Sequence, residues 1–284
     1  MSRGRTGTLV IIGGHERKDE NPLILKEVVR RVGDGKLVVA TVASELPAQM
    51  WDDYERVFRR LGVKHLYKLD VESREDAFSD RKRQILADAD GVFFTGGDQL
   101  RITTLLGASP LCERIREIYR GGGIVCGTSA GASVVCDSML VGGGGEGSAR
   151  VGDTVRMAPG LALVSDILVD QHFAERGRVG RLLGAVAQNP RLLGLGIDEN
   201  TAIVMTGGGR RFQVLGEGAV YVFNGWNMSY SNLSDEERDR ALSVFGTRVD
   251  VLSQSDSYDL STRVARNAPA QEIEEEIEGA LQSA

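Results

Sequence analysis

Residues 123–135 read GIVCGTSAGASVV. The apolar run Ile124-Val125-Cys126 predicts a buried strand, and Ala132-Ser133-Val134-Val135 predicts the start of a helix. Between them stands Ser129 in the pattern Gly-x-Ser-x-Gly, whose glycines allow the sharp strand-to-helix turn that presents a serine hydroxyl above a sheet edge. The helix start behind it offers unpaired N–H groups to a developing oxyanion. The stretch therefore predicts an α/β protein with Ser129 as a nucleophile; the alternative is a tightly packed turn of small residues.

Apolar runs alternate with amphipathic segments along most of the chain. We predict buried strands at residues 8–12, 37–41, 65–69, 91–95, 123–126, 167–171 and 193–197. We predict helices at residues 22–32, 47–61, 79–87, 111–119 and from 179 onward. Such an alternation is typical of an α/β fold with a mostly parallel sheet flanked by helices. Short apolar runs at 203–205, 211–214 and 219–222, separated by glycine-rich turns, predict a β-rich C-terminal extension.

Length and composition indicate a single domain. A chain of 284 residues with 42% hydrophobic content can build one large core, which we place at about residues 8–225. The nearly continuous glycines of residues 142–147 predict a mobile loop near the site. Residues 271–284 are interpreted as an acidic, solvated C-terminal tail.

Charge and hydropathy exclude several kinds of partner. A net charge of −6 and a pI near 5.3 argue against binding to nucleic acid or to a membrane surface through bulk electrostatics. Since no run reaches the ~18 apolar residues of a membrane span and residues 1–5 lead directly into the first strand, we expect no leader and a cytoplasmic location. The three cysteines, at positions 112, 126 and 136, lie in apolar contexts that indicate reduced thiols. Cys126 is an alternative nucleophile, but its place within a strand favours a packed thiol.

A serine nucleophile needs a base, and the chain has three histidines to supply it. His65 begins a strand, which favours a structural role. His15 follows Gly13-Gly14 in a polar loop and is expected to line the cleft without acting on Ser129. His172 comes directly after the strand at 167–171, where a parallel sheet delivers side chains to its ligand-binding edge. We therefore predict His172 as the base.

The base in turn needs a carboxylate to orient it. Asp198 and Glu199 follow the apolar strand at 193–197, and Asp170 lies two residues before His172. Spacing alone does not choose among the three. The order serine, histidine, acid differs from the serine, acid, histidine order of α/β-hydrolases, which argues against an ordinary esterase or lipase.

Two backbone segments are candidates for the oxyanion hole. One donor is the N–H of Ala130, directly after the nucleophile. The other is expected from Gly96-Gly97-Asp98, at Gly97, because glycine lets a second segment of backbone approach the scissile carbonyl closely.

Three arginines follow the predicted base within 10 residues: Arg176, Arg178 and Arg181. Arginines beside a catalytic edge are suited to binding substrate carboxylates through two parallel hydrogen bonds. The alternative is a solvated helix face on which Glu175 pairs with Arg178.

Four motifs together resemble the cyanophycinases, serine peptidases of a group that also includes the α-aspartyl dipeptidases. They are Thr95-Gly96-Gly97-Asp98-Gln99, residues 127–132, Asp170-Gln171-His172-Phe173 with its arginines, and residues 196–199. Their order and spacing cover residues 8–225, and the arginine-bearing segment favours cyanophycinase over the dipeptidases. Asn200 departs from the pattern, because a second acid is expected there.

The resemblance implies a glutamine-amidotransferase-like fold, a homodimer and an exopeptidase that degrades cyanophycin, a poly-aspartate chain with arginine on each β-carboxyl, to β-Asp-Arg dipeptides. It implies Ser129 as nucleophile, His172 as general base and Glu199 as the orienting acid, and it implies neither a metal nor another cofactor. The positions that match substrate contacts are Gln99, Asp170, Gln171, Arg176, Arg178 and Arg181.

Three rival functions are also open. The nearest is an α-aspartyl dipeptidase or a related isoaspartyl-cleaving peptidase of the same fold. A second is a catalytically silent binding protein that kept the scaffold. The third, nucleotide binding at Gly13-Gly14, lacks the Gly-x-Gly-x-x-Gly pattern.

Overall fold

Five short apolar segments of the first half form parallel strands. The computed structural model describes residues 7–143, 149–152 and 155–267. The strands are β1 (Thr8–Ile12), β2 (Lys36–Ala40), β3 (His65–Leu69), β4 (Gly91–Phe94) and β5 (Ile124–Thr128). They pair in the order β1-β5-β4-β2-β3, all parallel, which confirms the α/β prediction.

The helices connect these strands and cover the sheet. They are α1 (Leu23–Val32), α2 (Pro47–Arg60), α3 (Asp80–Ile85), α4 (Gln99–Leu106), α5 (Pro110–Arg120) and α6 (Ala130–Val134), with a 3₁₀ helix at Glu75–Phe78. Proline begins α2 and α5, where its missing N–H costs no hydrogen bond. Helix α4 was not predicted, because only eight residues separate its Asp98 cap from Gly107 and they show no clear apolar stripe.

The second half is rich in strands. They are β6 (Ser138–Gly142), β7 (Arg156–Pro159), β8 (Ile167–Gln171), β9 (Leu193–Ile197), β10 (Thr201–Thr206), β11 (Arg211–Gly216), β12 (Val220–Asn224), β13 (Tyr230–Ser231), β14 (Val244–Phe245), β15 (Arg248–Leu252), β16 (Ser257–Asp259) and β17 (Val264–Arg266). Helix α7 (Val179–Gln188) lies between β8 and β9 in the chain.

Eight of these strands divide between two large sheets, whereas β6 pairs with β7 and β13 with β14 as separate two-stranded sheets. Strands β10, β11, β16 and β17 continue the first sheet antiparallel from β1, giving nine strands within the described residues. Strands β8 and β9 pair in parallel, and β12 and β15 extend them antiparallel as a four-stranded second sheet. The predicted β-rich extension is therefore present, but the sequence did not reveal that β8 and β9 leave the first sheet.

The core is layered according to the alternation of side chains along each strand. Val10 and Ile12 pack beneath α1 and α2, whereas Ile11, on the opposite face of β1, joins a larger core shared with the second sheet. Val169 on β8 lies in that shared core, and Leu168 faces α7 on the other side. The second sheet is thus buried on both faces over β8 and β9, which fixes the direction in which their ends point.

The end of β1 joins the three segments that follow β5, β8 and β9. The N–H of Ser129 donates to the carbonyl of Ile12 at 3.1 Å, and the N–H of His172 donates to the carbonyl of Gly13 at 2.8 Å. The N–H of Asn200 donates to the carbonyl of Gly14 at 2.8 Å. Segments from both sheets therefore meet at one place.

Most of the predicted glycine-rich loop (144–147) and the predicted acidic tail lie outside the described residues. Among the residues that are described, no helix combines the length and the apolar character needed to cross a membrane.

Candidate active site

Three polar side chains from separate strand ends lie in contact. The Ser129 hydroxyl oxygen is 2.9 Å from Nε2 of His172, and Nδ1 of the same ring is 2.6 Å from Oε1 of Glu199. Ser129 follows β5 of the first sheet, while His172 and Glu199 follow β8 and β9 of the second. The structure therefore brings together the serine, histidine and acid predicted from the sequence, in the geometry of a hydrolytic triad.

The turn that carries Ser129 requires glycine on both sides. Ser129 has φ 54°, in the region that non-glycine residues seldom occupy. A Cβ on Gly127 would lie 2.0 Å from the carbonyl oxygen of Gly131, and a Cβ on Gly131 would lie 2.6 Å from that of Phe94. Since neither backbone atom has room to move, the Gly-x-Ser-x-Gly pattern reflects close packing as well as conformational freedom.

The His172 ring rests on the backbone of Gly14. A Cβ on Gly14 would lie 2.3 Å from Cε1 and 2.6 Å from Nε2 of His172. His172 is itself buried and has φ 49°, and its N–H is held by Gly13. Gly13 and Gly14 therefore form the surface against which the imidazole packs. This contact argues for a role of the two glycines other than nucleotide binding.

The contacts distinguish the three candidate carboxylates. Asp198 accepts hydrogen bonds from the N–H groups of Ala174 at 2.9 Å and Ala219 at 3.0 Å, so both its oxygens hold backbone. Asp170 is completely buried and forms ion pairs with arginines. Glu199 is the one in contact with the His172 ring, which favours it as the orienting acid.

A second imidazole shares the carboxylate of Glu199. Nδ1 of His15 lies 2.8 Å from Oε2 of Glu199, and the His15 and His172 rings meet edge to face with centroids 5.0 Å apart. His15 is exposed, and its contacts place it beside the His172–Glu199 pair. His65 lies exposed at the start of β3, which forms one edge of the first sheet.

Sequence reasoning missed a buried carboxylate beneath the nucleophile. Glu16 is 3% exposed, and its Oε2 accepts a hydrogen bond of 2.5 Å from the hydroxyl of Thr128, the residue before Ser129. The hydroxyl of Tyr54 on α2 donates to the other oxygen. This network ties the loop after β1 to the end of β5. Its only sequence signal was an acid next to His15, which predicts solvent exposure as readily as burial.

The predicted oxyanion donors stand on both sides of the serine. A Cβ on Gly96 would lie 3.4 Å from Cβ of Ser129, so the Gly96–Gly97 peptide passes beside the nucleophile. The N–H groups of Gly97 and Ala130 make no hydrogen bond to any described residue. Both are thus available to an oxyanion.

Electrostatics favour a neutral His172 and an ionised Glu199. Burial lowers the pKa of His172, and the charges of Arg176 and His15 lower it further, against the opposing effect of Glu199. Burial raises the pKa of Glu199, but hydrogen bonds and charges from His172 and His15 outweigh it and the pKa is lowered overall. A neutral imidazole beside a carboxylate is the state in which histidine accepts a proton from serine.

The cysteines do not compete with Ser129. All three lie in the described residues, are free and are buried. Burial raises the pKa of Cys126 far above its ordinary value and that of Cys136 to about 12, so neither supplies a thiolate. Cys126 is therefore a packed thiol.

One group of side chains in the described part of the chain has the spacing of metal ligands. Donor atoms of His15, His172 and Glu199 lie within 4.8 Å of one another. The same atoms form hydrogen bonds or ion pairs with each other, and His172 also contacts Ser129.

The three arginines after His172 separate into two kinds. Nη1 of Arg178 lies 3.0 Å and Nε of Arg181 2.8 Å from the buried carboxylate of Asp170. Arg178 also donates to the side-chain oxygen of Gln171 at 2.6 Å, so the alternative pairing with Glu175 is not formed. Arg176 is exposed and has no carboxylate partner among the described residues. Of the three, only Arg176 is placed to meet a substrate carboxylate without first breaking a buried ion pair.

Gln99 begins α4, directly after the Gly97 and Asp98 segment. Its side-chain amide donates to the carbonyl of Leu140 on β6 at 2.8 Å, and it is partly buried. In this arrangement Gln99 ties the oxyanion segment to the β6–β7 hairpin.

A model of a known protein family matches most of the chain. Residues 9–212 match the model of peptidase family S51, a range that contains Ser129, His172 and Glu199. The chain belongs to peptidase family S51.

Individual relatives support the assignment. The protein named cyanophycinase of Trichormus variabilis is 38% identical over 258 residues, covering 90% of this chain and 86% of the relative. The cyanophycinase of a Nostoc species matches with the same identity and coverage. The fold is similar to that of a solved peptidase from an acI-B1 Actinobacterium, with a TM-score of 0.66, 23% identity and coverage of 90% of this chain and 98% of the other. As an S51 member, the protein is a peptidase.

Replacing Gly14 by alanine should lower the catalytic rate of this S51 peptidase while the protein still folds. The new methyl group would displace the His172 ring, and a misplacement of about 1 Å costs roughly 10²-fold in rate. Gly33→Ala is the matched control, because Gly33 also has positive φ but no neighbour within 4 Å. We expect kcat to fall by about 10²-fold only in Gly14→Ala, with thermal melting measured for both variants. Equal kcat values would contradict the proposed contact.

Substitution of Glu199 should mainly affect catalysis, whereas substitution of its neighbour Asp198 should mainly affect stability. We expect Glu199→Gln to lower kcat by about 10⁴-fold, because the orienting charge on His172 is lost. Asp198→Asn replaces one of the two acceptor oxygens by an NH2 group, so one backbone N–H loses its partner, and should lower the free energy of unfolding by about 1–3 kcal/mol, with a smaller loss of kcat. Steady-state kinetics and urea denaturation measure the two effects. The reverse ranking of kcat would assign the catalytic acid to Asp198.

The pH profile should depend on His15. Because the base must be neutral, kcat/KM rises with pH through the pKa of His172, which lies below its ordinary value of 6.5. His15 lowers that pKa, so His15→Asn should move the acid limb to higher pH and leave the rate at pH 8 nearly unchanged. Asparagine tolerates the positive φ of position 15. The control His65→Asn should keep the wild-type limb, and an unmoved limb in His15→Asn would refute the coupling.

Proposed function

We propose that this protein is a serine-type exopeptidase that hydrolyses cyanophycin to β-Asp-Arg dipeptides. The observation that carries the proposal is the contact chain Ser129–His172–Glu199, found in a chain whose relatives of 38% identity are named cyanophycinase. The strained strand-to-helix turn at Ser129 acts as a nucleophile elbow in this proposal.

The first half of the reaction forms an acyl-enzyme. The Ser129 hydroxyl attacks an aspartyl backbone carbonyl while Nε2 of His172 takes its proton, and Glu199 stabilises the resulting imidazolium. The N–H groups of Gly97 and Ala130 donate to the oxyanion of the tetrahedral intermediate. The intermediate collapses when Nε2 returns the proton to the leaving amine.

The second half releases the acid product. His172 removes a proton from a water molecule, which attacks the ester on Ser129 through a second tetrahedral intermediate. The serine oxygen then leaves and recovers its proton from Nε2. Every proton passes through one ring nitrogen, which explains the importance of the Gly14 contact that fixes that nitrogen.

The charges around the triad fit the substrate. Each unit of cyanophycin carries one guanidinium and one free carboxylate, that of the attached arginine. Arg176 is placed to bind the carboxylate, and exposed Glu175, whose Oε1 accepts a hydrogen bond of 3.2 Å from the N–H of Glu199, is placed to bind the guanidinium.

The other residues implied by the resemblance have a supporting role in this proposal. Asp170 with Arg178 and Arg181 forms a buried ionic group that holds the segment carrying His172, and Gln171 completes it. Removing one member of such a group costs about 3–5 kcal/mol, because the remaining charge stays buried. Gln99 acts in the same way on the oxyanion segment.

Assembly and location belong to the same proposal. The resemblance supports a homodimer with a single catalytic domain, and three free buried thiols fit the reducing cytoplasm. The strands that belong to the two large sheets continue along the chain as far as Arg266. The proposed domain therefore includes the chain beyond residue 225.

The decisive experiment incubates purified protein with cyanophycin and, separately, with Asp-X and isoaspartyl dipeptides, and identifies products by mass. We expect β-Asp-Arg from the polymer and little turnover of the dipeptides. Ser129→Ala should lower kcat by about 10⁶-fold. Dipeptide cleavage without polymer cleavage would identify a dipeptidase. No turnover and no labelling of Ser129 by a serine-directed acylating reagent would indicate a silent binding protein.

A further inference from the structure

A cavity of about 960 Å³ lies at the other end of the second sheet from the triad. Its walls come from residues 163–166 before β8, the β10–β11 turn at 208–210 and the β16–β17 turn at 260–264, together with the starts of β9 and β15. Its volume lies within the range of small-ligand sites. The cavity uses no residue of the triad or of the arginine group beside it.

The distance between the two sites follows from the strand that joins them. Asp166 lines the cavity directly before β8, and His172 follows the same strand at its other end. At about 3.3 Å per residue, the two ends are about 20 Å apart. A ligand in the cavity therefore does not touch the reacting atoms.

The cavity is lined by positive charge that the protein leaves partly unneutralised. Arg191 and Arg210 are exposed and have no carboxylate partner in the described part of the chain. The Arg263 guanidinium donates to Oδ1 of Asn224 at 2.8 Å and to the carbonyl of Arg191 at 2.9 Å, so its position is fixed while its charge is retained. Arg248, by contrast, is bound to Asp250.

An aromatic face and a carboxylate complete the lining. Trp226 is 64% exposed, and the Arg263 guanidinium lies 4.7 Å from its ring centroid. Asp166 adds one negative group on the wall. The cavity thus offers arginines for carboxylates and an aspartate for a guanidinium, beside an exposed indole on which Arg263 already packs.

The geometry points to a second binding site at this cavity, for a distant segment of the same cyanophycin chain whose end lies at Ser129. This inference rests on the proposed function. Each unit of the polymer presents a carboxylate, which matches Arg191 and Arg210, and a guanidinium, which matches Asp166. Holding the chain at two places raises the effective concentration of its end at the triad.

The separation of the sites predicts a threshold in substrate length. An extended backbone spans at most about 3.3–3.6 Å per residue, so bridging about 20 Å takes at least about six aspartyl units. Oligomers of two or three units reach only the triad. The second site should therefore affect long polymer and leave short oligomers unaffected.

The test is the double variant Arg191→Glu/Arg210→Glu. We expect its KM for long polymer to rise about tenfold with kcat retained, and both constants for a two- or three-unit oligomer to match wild type. The matched control is Arg81→Glu/Arg83→Glu on α3, which changes the net charge equally at the opposite edge of the first sheet. Thermal melting confirms that both variants are folded.

Binding measurements distinguish the possible ligands of the cavity. The Ser129→Ala protein that keeps Arg191 and Arg210 should bind long polymer more tightly than the Ser129→Ala protein that also carries Arg191→Glu/Arg210→Glu. An unchanged KM and unchanged binding in the double variant would overturn the inference while leaving cyanophycin hydrolysis intact. If polyaspartate or inorganic phosphate competes for the cavity and cyanophycin does not, the site serves a simple anion and the inference is wrong. A wild type that does not cleave cyanophycin overturns the proposed function itself.

Discussion

The geometry of the candidate active site depends on three consecutive backbone carbonyls at the end of β1. Those of Ile12, Gly13 and Gly14 accept hydrogen bonds from the segments that carry the serine, the histidine and the acid. The three segments follow strands in two different sheets, so no single ladder aligns them. Because β1 lies at the centre of the first sheet, its last residue and the two glycines that follow it place all three segments against the end of one central strand. Backbone hydrogen bonds therefore position the three residues of the proposed triad in addition to their side-chain contacts.

Burial around that edge sets the chemistry. Glu16 anchors Thr128 from below, and the ring of His172 is confined against Gly14, so Ser129 and the imidazole have little freedom to separate. The same burial keeps His172 neutral, while Glu199, shared with His15, stays ionised at the open side of the site. Burial thus both confines His172 and lowers its pKa, whereas Glu199 stays ionised because its hydrogen bonds to the two histidine rings outweigh burial.

Much of this was predictable from local sequence, and the rest depended on contacts between distant residues. The Gly-x-Ser-x-Gly turn identified Ser129 because its signal is confined to five residues, and His172 stood out because only three histidines exist. Glu199 could not be separated from Asp198 by spacing, since what distinguishes them is that Asp198 binds the N–H groups of Ala174 and Ala219. The division into two sheets was missed because the apolar runs of β8 and β9 resemble those of the first sheet.

The three arginines after His172 belong to one sequence motif but make different contacts in the structure. Arg178 and Arg181 lie on the side of the chain that faces Asp170, where a buried carboxylate requires compensation. Arg176, nearer to His172, faces solvent and lowers the pKa of the imidazole by its charge alone. Two arginines therefore hold the strand end in place and the third acts on the site that it borders. Which arginine does which is decided by the direction each side chain takes from the turn before α7, and that direction is set by folding rather than by residue type.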